Sequence, residues 1–249
     1  EAAAVMGLGA LPAYLLVPII LAIGVGLAIL SELLVFRRLR DAEPVSLMVA
    51  SFSLGVVIQN FLLMTYGGRP KAVSLWPGLG EPVALLGAQV PLLQISVIVV
   101  IISMLVLLSV VLKFTRIGLE MRAAAENFGM ARLLGVRANR VIMMAFGVSG
   151  FLAAILALIF VAQTGVADVK MGGSIVLIAF IATVLGGMGS LTGAVIAGLV
   201  LGAVSTVLQA YLPIDLRPFR DAFVYGFVII VLLVRPQGLF TLSSVSNRI

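Results

Sequence analysis

Six of the chain's sixteen Lys and Arg residues crowd between Lys113 and Arg140, in KFTRIGLEMRAAAENFGMARLLGVRANR, where they alternate with Glu120, Glu126 and three consecutive alanines. These side chains could do chemistry, and the chemistry is recognition. Arg116, Glu120, Arg122, Glu126 and Arg132 around Ala123, Ala124 and Ala125 offer charge-assisted hydrogen bonds beside a surface with little bulk. That composition suits insertion into a groove of a soluble partner. It equally suits a basic loop lying on anionic lipid. Lipid tolerates any arrangement of cations, whereas docking depends on particular small residues such as Ala124 and Gly135.

Reaction chemistry has no candidate residues. There is no cysteine and no histidine, which removes disulfides, thiolate ligands and the commonest metal ligand. A P-loop requires a lysine directly after glycine, and none of Lys71, Lys113 and Lys170 follows one. Paired carboxylates, a nucleophile elbow and a zinc-protease helix are missing as well. The expectation is a non-enzyme that binds neither cofactor nor nucleotide itself.

The elements that must position the basic stretch are apolar. Of 249 residues 62% are hydrophobic and only 10% charged, a balance outside the range of soluble domains. About 20 apolar residues cross about 30 Å of hydrocarbon. Charged or Pro/Gly-rich breaks divide the sequence into seven such segments, Leu11–Leu34, Ser46–Tyr66, Leu92–Leu112, Val141–Gln163, Gly172–Gly187, Thr192–Tyr211 and Ala222–Val234. The fifth and seventh are short, as tilted, broken or re-entrant helices are. No period of two runs through the segments, which argues against a β-barrel. The predicted fold is all-α: one polytopic transmembrane helical bundle over residues 1–249, with one segment short or broken and residues 113–140 on the cytosolic side.

Orientation follows from the cations. Placing the 35–45 turn inside puts eleven Lys and Arg on that side and five on the other, Arg69, Lys71, Lys170, Arg217 and Arg220. The positive-inside rule then predicts a cytoplasmic C-terminus and an external N-terminus. The net charge of +6 is explained by anionic lipid and needs no nucleic acid. The first segment is too long and too poor in flanking cations for a signal peptide.

Within the segments polar groups are sparse. None of the apolar cores holds a carboxylate of the kind proton-driven transporters use, since Glu32 sits near the cytosolic end of the first segment. Gln59, Asn60, Gln94, Ser96, Ser149 and Thr183 either line a solute path or hydrogen-bond a neighbouring helix. Gly186, Gly187 and Gly189 precede Gly193, Gly198 and Gly202, with four-residue spacing at 189/193 and 198/202. Such spacing permits close helix packing, and the run from Gly186 to Ser190 also breaks the fifth segment, as expected beside a translocation path.

The basic stretch itself reads as two short helices. Its residues are mostly good helix formers, with charges on all sides of the wheel. The bend is expected at Gly129, with Asn127 as N-cap of the second helix and Gly135 as its C′ glycine. Asn139 is expected to cap the next membrane segment.

Three motifs then carry a resemblance over nearly the whole chain. GLEMRAAAENFGMARLLGVRANRVIMMAF is similar to the cytoplasmic signature of permease subunits of branched-chain amino acid ABC importers, the LivH type. VLGGMGSLTGAVIAGLVLG resembles the family's second signature and RPQGLF its closing motif. The resemblance implies a fold like that of type II ABC importer permeases, in a bacterial inner membrane. It implies a coupling element at Arg122, Ala123, Ala124, Ala125, Glu126, Asn127, Ala131, Arg132 and Gly135. It implies as partners a second permease, two ATP-binding subunits that use ATP and Mg, and a periplasmic solute-binding protein. The expected substrate is a small amino acid, of the branched-chain type first, with urea, short amides or small carboxylates as alternatives within the family and a stand-alone secondary transporter or channel outside it. Gln59, Asn60, Gly186, Gly187, Gly189 and Ser190 are the expected substrate path. Members typically carry a further N-terminal helix, of which Glu1 would be the last residue, and Phe128 stands where the family frequently has proline.

Overall fold

The computed structural model describes residues 13–39, 42–73, 82–85, 88–187 and 190–235. Gly189, and all of the closing motif after Arg235, lie outside them. The chain forms two compact units, one up to Val169 and one from Lys170.

In the first unit, helix α1 (Ala13–Ser31) runs into a π-helical turn, Glu32–Phe36, and α2 spans Pro44–Tyr66 with Pro44 in its first turn. After three short strands, β1 (Lys71–Ala72), β2 (Pro82–Leu85) and β3 (Ala88–Pro91), come α3 (Leu92–Phe114), α4 (Arg116–Glu126), α5 (Phe128–Leu133) and α6 (Ala138–Thr164). Strand β4 (Val166–Ala167) closes the unit by pairing antiparallel with β1, Lys71 opposite Ala167, so the C-terminal ends of α2 and α6 meet. β2 and β3 form a hairpin with Val83 opposite Val90. These ladders were not expected from the sequence; two residues carry no visible period.

The packing that holds α1 to α6 rests on small residues four apart. A Cβ on Gly24 would stand 2.6 Å from Cβ of Ala154, and one on Gly150 would stand 2.5 Å from Cβ of Ala28. Gly24 and Ala28 therefore cross Gly150 and Ala154 with the backbones nearly touching. Between apolar helices in lipid, this close approach supplies dispersion contacts that the hydrophobic effect cannot. Toward the other end of the same pair, the rings of Phe36 and Phe146 lie 5.1 Å apart. The π turn begins where the apolar run stops: the Arg37 amide donates to the Glu32 carbonyl at 2.7 Å, five residues back.

The second unit contains α7 (Met171–Gly186), α8 (Leu191–Tyr211), a 3₁₀ turn at Ile214–Phe219 and α9 (Arg220–Val234). Its core is Ala182 and Leu185 on α7, Ala197 and Leu201 on α8, and Val224 and Val228 on α9. α7 stops because Gly187 takes φ +96°, a conformation side chains rarely adopt, and α8 starts with the Ser190 hydroxyl accepting from the Gly193 amide at 3.0 Å. Across this turn a Cβ on Gly186 would overlap the backbone of Gly193 and Ala194, and one on Gly193 the Gly186 carbonyl. Gly193 thus meets Gly186. Farther along, Gly198 has only Ala182 at 3.9 Å, and nothing in the chain lies within 4 Å of a Cβ on Gly202.

All seven apolar segments are helices. Among the described residues five are long and apolar enough to cross a membrane. α7 and α9, at 16 and 15 residues, are the short ones. At 1.5 Å per residue each falls below the hydrocarbon thickness. The chain is a polytopic all-α membrane protein.

Candidate docking site

Thr115 builds the corner that turns the basic stretch away from α3. Its backbone is extended, its hydroxyl donates to the Val111 carbonyl at 2.5 Å, and the same oxygen accepts from the Gly118 amide at 3.1 Å. One hydroxyl thereby satisfies a carbonyl at the end of one helix and an amide at the start of the next. The corner is so tight that a Cβ on Gly118 would overlap the carbonyls of Val111 and Leu112. Arg122 reaches back to donate to the Lys113 carbonyl at 3.2 Å, placing a cation at the C-terminus of α3. Gly118 and Thr115 carry no signal of their own in the sequence; only the approach of α4 to α3 reveals them.

α4 packs on α3 and α6, with Ala123 and Ala124 half-buried and Ala125 exposed. It ends at Asn127, whose backbone is extended at φ −153° and ψ 101° while its side chain accepts from the Met130 amide at 3.1 Å. Asn127 is the N-cap of α5, as its residue type suggests. The bend lies at Asn127 itself. Gly129, expected there, sits inside the first turn of α5, because the cap fixes the chain's new direction two residues earlier.

α5 closes with a Schellman motif: the Val136 amide donates to the Ala131 carbonyl at 3.0 Å and the Gly135 amide to the Arg132 carbonyl at 3.1 Å, with Gly135 at φ +87°. Gly135 is the C′ residue. Asn139 does not cap α6, which begins at Ala138 with Arg137 in the cap position and no side-chain cap bond. The reversal at Gly135 brings the chain into the helix two residues too early for Asn139 to serve.

The exposed surface of the pair is more apolar than its charges suggest. Leu133 and Leu134 are 84% and 83% exposed and Met130 60%, while Ala131 between them is only 3% exposed. Ala131 therefore folds the pair, and the two leucines form its tip. The small and charged residues stand out in the sequence here and these leucines do not, because exposure of an apolar residue is invisible without the packing.

Beside the pair opens a cavity of ≈ 580 Å³ lined by Glu32, Arg37, Arg132, Arg137, Arg140 and Met143, among others. It joins the π turn after α1 to the α5–α6 connection. Glu32 is 1% exposed.

The expected path residues fall into both units. Gln59 and Asn60 lie on α2 in the first, where the Asn60 side-chain amide donates to the Val56 carbonyl at 2.8 Å. Ser96 and Thr183 likewise donate to Leu93 and Ala179 of their own helices, so the nearest backbone carbonyl, not a neighbouring helix, receives these protons. Gly186, Gly187 and Ser190 form the α7–α8 turn of the second unit.

These features define a class: a multi-pass helical membrane protein with a capped helix pair between the ends of two long apolar helices. Residues 2–233 match the family described as branched-chain amino acid transport system / permease component, and the chain belongs to that family. It is 32% identical over 245 residues to the high-affinity branched-chain amino acid transport permease BraD of Pseudomonas aeruginosa, covering 95% of this chain and 78% of that protein. Identity to the Escherichia coli K12 permease LivH is 30% over 212 residues, 84% of this chain and 68% of LivH. The autoinducer 2 import permease LsrC of an Enterobacter strain is 32% identical over 193 residues, 73% of this chain and 52% of LsrC. No solved structure matches.

Proposed function

We propose that the chain is the membrane-spanning subunit of an ATP-driven importer of small amino acids, branched-chain ones foremost, and that α4 and α5 couple it to separate ATP-binding subunits. The observation that carries this reading is the helix pair. It is fixed to the ends of α3 and α6 by Thr115, Arg122 and the Gly135 reversal, and presents Leu133 and Leu134 to whatever docks there. A push on such a rigid element moves α3 and α6 together. The chain supplies no P-loop of its own. Arg122, Ala123 to Ala125, Glu126, Asn127, Ala131, Arg132 and Gly135 build or line the coupling element.

The concentration of cations at the end of α1 and the start of α6 faces the pair to the cytoplasm of the bacterial inner membrane, with the C-terminus on the same side. A second permease and a periplasmic solute-binding protein complete the assembly. Gln59 and Asn60 of the first unit, and separately the helix break at Gly186, Gly187 and Ser190 of the second, are assigned to the solute path, since broken helices are found beside such paths.

The test is reconstitution with the ATPase and binding-protein partners. Leucine, isoleucine or valine presented by the binding protein should stimulate ATP hydrolysis. Stimulation by autoinducer 2 or an amide in their place would reassign the cargo, and uptake by this chain without an ATPase would end the coupling reading.

A further inference from the structure

The cavity at the foot of α1 is charged far beyond its own means of compensation. Arg37, Arg132, Arg137 and Arg140 line it from three parts of the fold, the π turn, α5 and the start of α6, against the single carboxylate of Glu32 among the lining residues. Guanidinium groups stay protonated at any physiological pH. One carboxylate cannot balance four of them, and with ≈ 580 Å³ available the geometry leaves room for a further anion. Arginine forks match phosphate oxygens in pairs.

A second observation decides which anion. Met143 lines this cavity, and four residues along the same face of α6 Gly147 lines another, of ≈ 230 Å³, with Phe151 one turn beyond it. That second cavity lies between α3 and α6 and is walled by Met104, Leu107, Leu108 and Val111, with no charged residue. A basic cavity at the end of the apolar run, followed along one helix face by an apolar one, matches a phosphate headgroup with its acyl chain. Basic pockets between spanning helices at the membrane face commonly hold such headgroups.

We propose that the two cavities bind one anionic phospholipid, its phosphate among the four arginines and one acyl chain between α3 and α6. The lipid would fasten the π turn of α1 to the α5–α6 connection from below. This assignment does not depend on the coupling reading, because it is tested on the purified full chain without partner subunits.

The probe is phosphatidylglycerol in nanodiscs otherwise made of phosphatidylcholine, with the lipid retained after detergent exchange counted by native mass spectrometry. The wild-type chain should retain phosphatidylglycerol selectively. Arg137→Gln with Arg140→Gln should lower that selectivity about thirtyfold, from about 1 kcal/mol per juxtamembrane cation. Arg69→Gln, beyond the opposite end of α2, should leave it unchanged. Should the double variant fail to fold, Gly147→Leu, which adds a side chain at the wall of the apolar cavity, should weaken retention of the lipid but not binding of glycerol 3-phosphate. Equal selectivity in wild type and double variant overturns the site. Displacement of the lipid by inorganic phosphate at comparable concentration overturns the lipid assignment in favour of a free anion.

Discussion

Two interruptions of helix in this molecule use the same capping chemistry for opposite ends. At Asn127 a side chain accepts from the amide three residues on, and at Ser190 another does the same. At Asn127 the helices separate, project two leucines and expose charge. At Ser190 they fold back until Gly186 and Gly193 touch through their backbones. The cap sets only where a helix starts; the neighbouring side chains decide whether the break reaches outward or closes in. The capped break flanked by Arg and Leu leaves its side chains exposed, and the one flanked by Gly is a packing joint.

That contrast can be broken most severely at the packing joint. Gly193→Val places three carbons where the Gly186 carbonyl stands, and should cost about 3 kcal/mol or more, read as loss of monodisperse protein after extraction. Gly118→Val at the α3–α4 corner should behave similarly, since its neighbours there are backbone carbonyls that cannot rotate away.

A smaller loss is expected at the outward break. Gly135→Val forces a branched residue to φ +87° with open space around it, so the cost is the left-handed backbone alone, about 1–2 kcal/mol. The variant should insert and fold, with a lowered thermal midpoint and reduced stimulation of ATP hydrolysis by the binding protein. Removing either cap by Asn127→Ala or Ser190→Ala should cost about 1 kcal/mol each. Hydrogen exchange sharpens the comparison: it should rise at Met130 in the first variant and at Gly193 in the second.

The least expected change in stability lies at the tip. Leu133→Ser with Leu134→Ser removes side chains more than four-fifths exposed and should change stability by no more than about 0.5 kcal/mol, read as a near-unchanged thermal midpoint. Assembly with the ATPase subunits should nevertheless fail. Normal assembly in that variant would remove the tip from the coupling reading and return the pair to its alternative as a lipid-facing basic loop.

What could be read before the structure follows the range of the forces involved. Seven apolar runs became seven helices because exclusion of unpaired backbone from lipid acts segment by segment. Asn127 and Gly135 were legible because a cap depends on atoms within a few residues. The bend expected at Gly129 and the cap expected at Asn139 each lie two positions earlier, since a residue suited to a bend or cap is used only if the chain turns there. The glycine-rich stretch from Gly186 to Gly202 pointed to close packing, and Gly193 does meet Gly186 there, while Gly198 and Gly202 have no close neighbour among the described residues. The tight helix crossing lies between Gly24 and Ala28 of α1 and Gly150 and Ala154 of α6, more than 120 residues apart. Neither pair announces the other in the sequence.

By itself, then, the sequence determined the membrane class, the number of apolar helices, the family and the position of the capped pair, because hydropathy and capping are local energies summed along the chain. Only the tertiary structure decided that Gly118 admits no side chain, that Ala131 is buried while Leu133 and Leu134 stand out, and that Glu32 meets arginines from more than 100 residues away around one cavity. Those outcomes depend on which backbones approach one another, and close approach is a property of pairs that no single segment contains.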